Sequence, residues 1–212
     1  MAIQNQNASI RYPADLVNDS LRRVGYKRRI ADLYDGSEAS KVALDLYGQT
    51  RDAMLHDNDW DFAERTVQAT LLKQAPQGGY VPPNVWNPAT NPIVPTFWYE
   101  YAYPTDAIKI RSIMYAPLFV MNFDPQPNIF TEANDSNYTP AQRVVLCNVA
   151  DAVLVYTGRV TDLSVWEDDA IEAFAAALGR RLAPALVGLN ATKLAAQDEA
   201  VETQKADVTG AG

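Results

Sequence analysis

Residues 50–62 read TRDAMLHDNDWDF, and their reading decides where helix gives way to sheet. Asp57, Asp59 and Asp61 stand at alternate positions, as the oxygen ligands of a calcium loop do. A calcium loop starting at Asp57 needs glycine at its sixth position and glutamate at its twelfth. Phe62 and Gln68 stand there instead, so neither the sharp turn nor the bidentate carboxylate is supplied. The stretch therefore reads as a helix end followed by a packing anchor. Trp60 and Phe62 are expected to enter the core between that helix and the following sheet, with the acids facing water. Beyond it, TVQATLL (66–72) alternates Val67, Ala69 and Leu71 against polar neighbours, the period of a half-buried strand.

Toward the amino end the pattern is helical. In YPADLVNDSLRRVG (12–25), Pro13 suits a first helical turn, where its missing N–H costs nothing. Leu16, Leu21 and Val24 share a face with Val17 and Ser20 beside them, and Gly25 supplies the stop. After the turn signal Asp35-Gly36, Ser37 caps a longer helix. Its stripe runs through Ala39, Val42, Ala43, Leu46, Tyr47, Ala53 and Met54, with Thr50 as the polar member. His56 falls near the end of this helix, where an imidazole suits the dipole.

Toward the carboxyl end the chain first changes character. Six prolines lie between Gln74 and Thr96, and proline supplies no ladder donor, so 75–96 is expected to be an extended arm. Tyr80, Trp86, Phe97 and Trp98 make it poor core but good contact material for a neighbouring subunit or tail component. FWYEYAYP (97–104), AIKIRSI (107–113), NIFTEAN (128–134) and RVVLCNVADAVLVYTGRV (143–160) read as antiparallel strands, with an irregular stretch from 117 to 127. LSVWEDDAIEAFAAALGRRLAPALVG (163–188) then returns to helix through a capping box from Ser164 to Glu167. Trp166, Ala170, Phe174, Ala177, Leu178 and Leu182 form its buried face, and Pro184 is expected to kink or end it. Asn190 caps a last helix, NATKLAAQDEAVETQK (190–205), and across the carboxyl end Val187, Leu194, Val201 and Val208 recur every seven residues. That row is too thin for a core and suits a shallow groove on a partner.

The fold class this predicts is α+β: a bundle of amphipathic helices from both chain ends plus a small antiparallel β-sheet with long loops. Residues 1–62 supply the first helices of the helical domain, 63–160 a β-rich insertion with the proline-rich arm, 161–188 the long helix completing the helical domain, and 189–212 a carboxyl-terminal helix and tail. Trp60, Phe62, Trp166 and Phe174 are the expected structural core.

Composition narrows function. The net charge of −8 argues against a protein held to nucleic acid mainly by phosphate contacts. No apolar run reaches the roughly 18 residues of a membrane span, and the amino terminus lacks a signal peptide's pattern, so a soluble chain made inside the cell is expected. One cysteine permits no internal disulfide, and one histidine no His₂ or His₃ metal site. Phosphate-loop, dinucleotide and nucleophile-elbow patterns are absent. Cys147 with His56 would be the one nucleophile–base pair, but Cys147 lies in an apolar run, VVLCNV, where a small buried side chain is the plainer reading. No catalytic residue, metal or cofactor is assigned. The run LRRVGYKRR holds Arg22, Arg23, Lys27, Arg28 and Arg29, five of the eighteen basic residues, and is either a solvated helix end or a contact with DNA or an acidic subunit.

Three stretches in order carry a family resemblance: RDAMLHDNDWDFA (51–63), YEYAYPTDAIKIRSI (99–113) and YTGRVTDLSVWEDDAIEAFAAALGRRLAPAL (156–186). Together, over roughly residues 14 to 190, the chain resembles the tail tubular protein A family, the head-to-tail adaptors of short-tailed bacteriophages. The proline-rich stretch and 117–130 depart from the family pattern. The resemblance implies a structural protein of the virion, made in the host bacterial cytoplasm. Twelve copies would form a ring beneath the portal protein, continuing the channel for genomic DNA toward a tail nozzle or stopper, with the carboxyl-terminal helix against the portal. An adaptor or stopper of a long-tailed phage or gene transfer agent is the nearest alternative; a small hydrolase or nuclease holding Mg²⁺ between paired acids is the more distant one.

Overall fold

The computed structural model describes residues 12–115 and 129–188. The expectations for 117–128 and for the last helix, with Leu194, Val201 and Val208, lie outside them. The chain divides into two compact units, one built from Met1–Asp57 with Val160–Gly212 and the other from Asn58–Arg159. Both chain ends thus supply the helical unit, and the strands form an insertion. The architecture is α+β.

Helix α1, Pro13–Arg23, buries Leu16, Val17, Ser20 and Leu21. It ends at Gly25, whose φ of 78° lets the Gly25 N–H reach the Arg22 carbonyl and the Tyr26 N–H that of Leu21. Helix α2, Glu38–Asp57, is capped by Ser37, whose Oγ accepts from the Ser40 N–H at 3.2 Å. Its buried hydroxyls are satisfied within the helix, Thr50 donating to the Leu46 carbonyl at 2.8 Å. Helix α3, Asp168–Leu186, packs on both. Gly179 lies where α1 crosses it: a Cβ there would stand 3.0 Å from the Ser20 carbonyl oxygen. Phe174 is fully buried, with Tyr47 at 5.0 Å and Trp166 at 5.7 Å, both edge-on.

Three expectations for α3 need correction. Ser164 is not its cap, because residues Leu163–Val165 form a separate 3₁₀ turn in which Asp162 accepts from the Ser164 N–H. Glu167 becomes the cap residue, without a side-chain bond. Pro184 does not stop the helix at once; it sits within the last turn, which continues to Leu186. Ala177 is half-buried, and Ile171, Ala175 and Ala183 join the buried face instead.

The inserted unit holds two antiparallel sheets where one was expected. Strands β1 (Glu64–Gln68), β4 (Ala107–Tyr115) and β7 (Ala152–Gly158) form one in the order β1-β7-β4. Strands β2 (Leu71–Gln74), β3 (Tyr99–Ala102), β5 (Phe130–Asp135) and β6 (Gln142–Cys147) form the other in the order β2-β3-β6-β5. A shared core gathers Tyr101, Val145 and Cys147 with Ile110, Ile113, Leu154 and Tyr156. The alternation over Val67, Ala69 and Leu71 does not mark one half-buried strand. The chain changes sheet at Ala69–Thr70, where Ala69 donates to Ala152 and Thr70 accepts from Ala102. Only Ala69 is buried, and Val67 and Leu71 are exposed on edge strands of different sheets. In β4, register shifts between Ala107 and Lys109 and between Ile110 and Ser112 bring Ile110 and Ile113 inward, a spacing no simple alternation has.

The opening stretch is also corrected. Trp60 and Phe62 are half-buried, with ring centres 6.1 Å apart, and the buried residue of the turn Asp61–Ala63 is Ala63. Charge holds the segment to β4. The Arg111 guanidinium donates to the Trp60 carbonyl at 2.6 Å, Glu64 at 3.0 Å and the Thr157 hydroxyl at 2.9 Å. Asp59 is exposed but does not merely face water: Lys109 lies 2.8 Å away, and that bond first, then the Lys109 and Arg111 charges, holds its carboxyl below the usual range. Asp57 is exposed. Among the described residues, no group of three or more His, Cys, Asp or Glu side chains could hold a metal ion. Trp60→Ala is expected to lose about 1–3 kcal/mol in urea denaturation, below the ~3–5 kcal/mol of a fully buried aromatic. A loss as large as the latter would contradict the half-buried placement.

Candidate interaction surface

Residues 75–98 link β2 to β3, and they are not an extended arm. The Ala75 N–H donates to the Trp98 carbonyl at 2.7 Å, closing the neck of the loop, and a series of turns fills the interior. Strand pairing explains what the loop covers. Tyr101 and Val145 face the core between the sheets, so their neighbours Glu100 and Leu146 face the opposite side. Glu100 and Leu146 are nonetheless fully buried. The loop lies against this face, reaching it through Ile93 and Pro88.

A charged cluster makes the attachment. The shift in register between Leu71 and Lys73 turns Lys73 inward on the edge strand, beside Glu100. Its ammonium contacts the Asp135 carboxylate, lies 3.6 Å from Glu100 Oε1, and donates to the Pro88 carbonyl at 2.9 Å. The Tyr138 ring stands 5.3 Å from it. Glu100 Oε2 accepts from the Ile93 N–H at 3.1 Å. Asn137 ties Asp135 to the loop, its amide donating to Asp135 at 2.8 Å and to the Pro88 carbonyl at 2.9 Å. Both carboxylates are 0% exposed. Burial pushes the Glu100 carboxyl up. Burial would raise Asp135 too, but the donors from Lys73 and Asn137 bring it below the ordinary range. Asn148 fastens the loop's far end by accepting from the Trp98 N–H at 2.8 Å.

The loop exposes several large apolar side chains among its polar ones. Val85 is 79% exposed, Val81 59%, Trp98 44% and Trp86 38%, with Val94 also exposed. Trp86 is held by its Nε1 donating to the Pro92 carbonyl at 2.9 Å. Of the aromatics singled out in the sequence, Trp86 and Trp98 are presented to solvent, while Tyr80 and Phe97 are half-buried. The three valines were missed because exposure of a valine leaves no pattern in a loop without periodicity. Lys73, Glu100 and Asp135 were missed because they are far apart in sequence and only the pairing of β2, β3 and β5 through β6 gathers them.

The basic run divides in two. Arg22 and Arg23 pair with Asp19, and Arg23 also lies 3.5 Å from Glu172. Lys27, Arg28 and Arg29 are exposed, with no ion-pair partner among the described residues. Asn18 holds their segment by exchanging two 2.9 Å hydrogen bonds with the Ile30 backbone. Val187 is exposed at the end of α3. Cys147 is fully buried, which pushes its thiol up, and His56 is exposed in the last turn of α2. No described helix is long and apolar enough to cross a membrane.

Neither a protein-family model nor a curated protein matches this chain.

Proposed function

We propose that this chain is a structural head-to-tail adaptor of a phage virion, working as a ring of copies between the portal and the next tail component. The observation that carries the reading is the 75–98 loop, which exposes valines and tryptophans on a tightly fastened backbone. An exposed set of valines and tryptophans suits a protein partner. Because the loop is already ordered, little entropy is lost when a partner docks. A ring needs two different patches on each subunit, and one such patch fits a heterologous contact. The three sequence stretches that resemble the tail tubular protein A family support the same reading. The Cys147–His56 alternative has no support, since its thiol is buried and held in the protonated form.

The test is electron microscopy and mass measurement of the chain alone and mixed with a portal. A ring that forms on the portal supports the adaptor. Truncation after Gly188 is expected to abolish portal binding while leaving the melting temperature within about 2 °C. Absence of any complex with portal, together with divalent-ion-dependent nuclease activity, would favour the hydrolase reading instead.

A further inference from the structure

The charge count of the cluster beneath the loop does not balance. One ammonium, Lys73, faces two fully buried carboxyls, Glu100 and Asp135. With both ionised, the site would hold a net negative charge out of contact with water. Such a charge is expensive, and a carboxyl in that position takes up a proton instead. The hydrogen bonds identify which one. Asp135 receives the Lys73 ammonium, the Asn137 N–H at 2.9 Å and the Asn137 amide, as an ionised carboxylate does. Glu100 receives one backbone donor on Oε2, and its Oε1 accepts no hydrogen bond. Among the described residues no further charge meets Glu100: β6 offers Leu146, the loop offers backbone, and Tyr138 faces the lysine.

We propose that Glu100 carries a proton in the folded protein, and that this neutral cluster is a latch fixing the 75–98 loop to its sheet. Losing the proton leaves an uncompensated buried anion directly beneath Ile93 and Pro88, and the loop is released. Release exposes Glu100 to water and so gives up the proton. Between the ordinary glutamate pKa and the raised value in the latched form, the latched state holds one proton more. Rising pH therefore favours opening across that window, by up to about tenfold per pH unit, and the effect levels off above it. Asp135 adds no slope there, because its lowered carboxyl is already ionised in both states. The role of the latch in assembly rests on the adaptor reading; the proton does not.

The experiment is hydrogen exchange of the isolated chain from about pH 5 to about pH 9, read at the Ile93 amide and corrected for intrinsic exchange. The wild-type opening constant is expected to climb with pH and then flatten, while Glu100→Gln, an isostere of the protonated acid, stays level. The infrared spectrum of the wild type should show the carbonyl band of a protonated carboxyl at neutral pH, absent from Glu100→Gln. A level wild-type constant without that band overturns the latch, as does an equal slope in the variant. If Glu100→Gln fails to fold, the wild-type slope and band still decide. Since no portal is involved, a failure here leaves the adaptor reading to its own test.

Discussion

Lys73→Met is expected to destabilise the protein by about 3–5 kcal/mol, measured by urea denaturation at neutral pH. The methionine keeps most of the side-chain volume and removes the ammonium, so Asp135 loses its cation and Pro88 loses a donor. Removing one partner of a buried charge set is more damaging than removing all of it, because the remaining charge has nowhere to be solvated. The triple variant Lys73→Met, Glu100→Gln, Asp135→Asn should therefore recover much of the loss. A single variant within about 1 kcal/mol of wild type would mean that water reaches the cluster and that the loop is not held by it.

Phe174→Ala is expected to cost a similar amount, about 3–5 kcal/mol, in the helical unit. The ring is fully buried on α3 and meets both Tyr47 and Trp166 edge-on, so truncation opens a cavity and removes two aromatic contacts. Phe174→Leu, which keeps most of the volume, should cost about 1–2 kcal/mol. Circular dichroism during denaturation separates the two. A loss below about 1 kcal/mol in the alanine variant would show that neighbouring side chains collapse into the space.

The two variants probe different kinds of sequence legibility. Phe174 could be placed from the amino-acid order because a helix repeats every 3.6 residues and its buried face is written locally. Ser37 as a cap and Gly25 as a stop were readable for the same reason, each acting on residues within one turn. Trp60 was less legible. Its size favours burial, but the Arg111 guanidinium, 51 residues away, holds the segment by its backbone carbonyl and leaves the rings half-covered. The proline-rich loop was misjudged because proline content reports only what the backbone cannot do in a ladder. Where its remaining N–H and C=O groups find partners is a tertiary question, answered here by Lys73, Glu100 and Asn137.

By itself the sequence determined the three described helices, the Ser37 cap and the Gly25 stop, the strand-rich insertion and the absence of familiar catalytic patterns. These depend on periodicity and on residue chemistry over a few positions. Only the tertiary structure decided that the strands form two sheets, that Ala69 marks the crossing between them, and that Lys73, Glu100 and Asp135 meet beneath the loop. The reason is physical. Strand pairing joins residues far apart in the chain, and a single bulge reverses which side chains point inward, so neither partner nor face is encoded in local order.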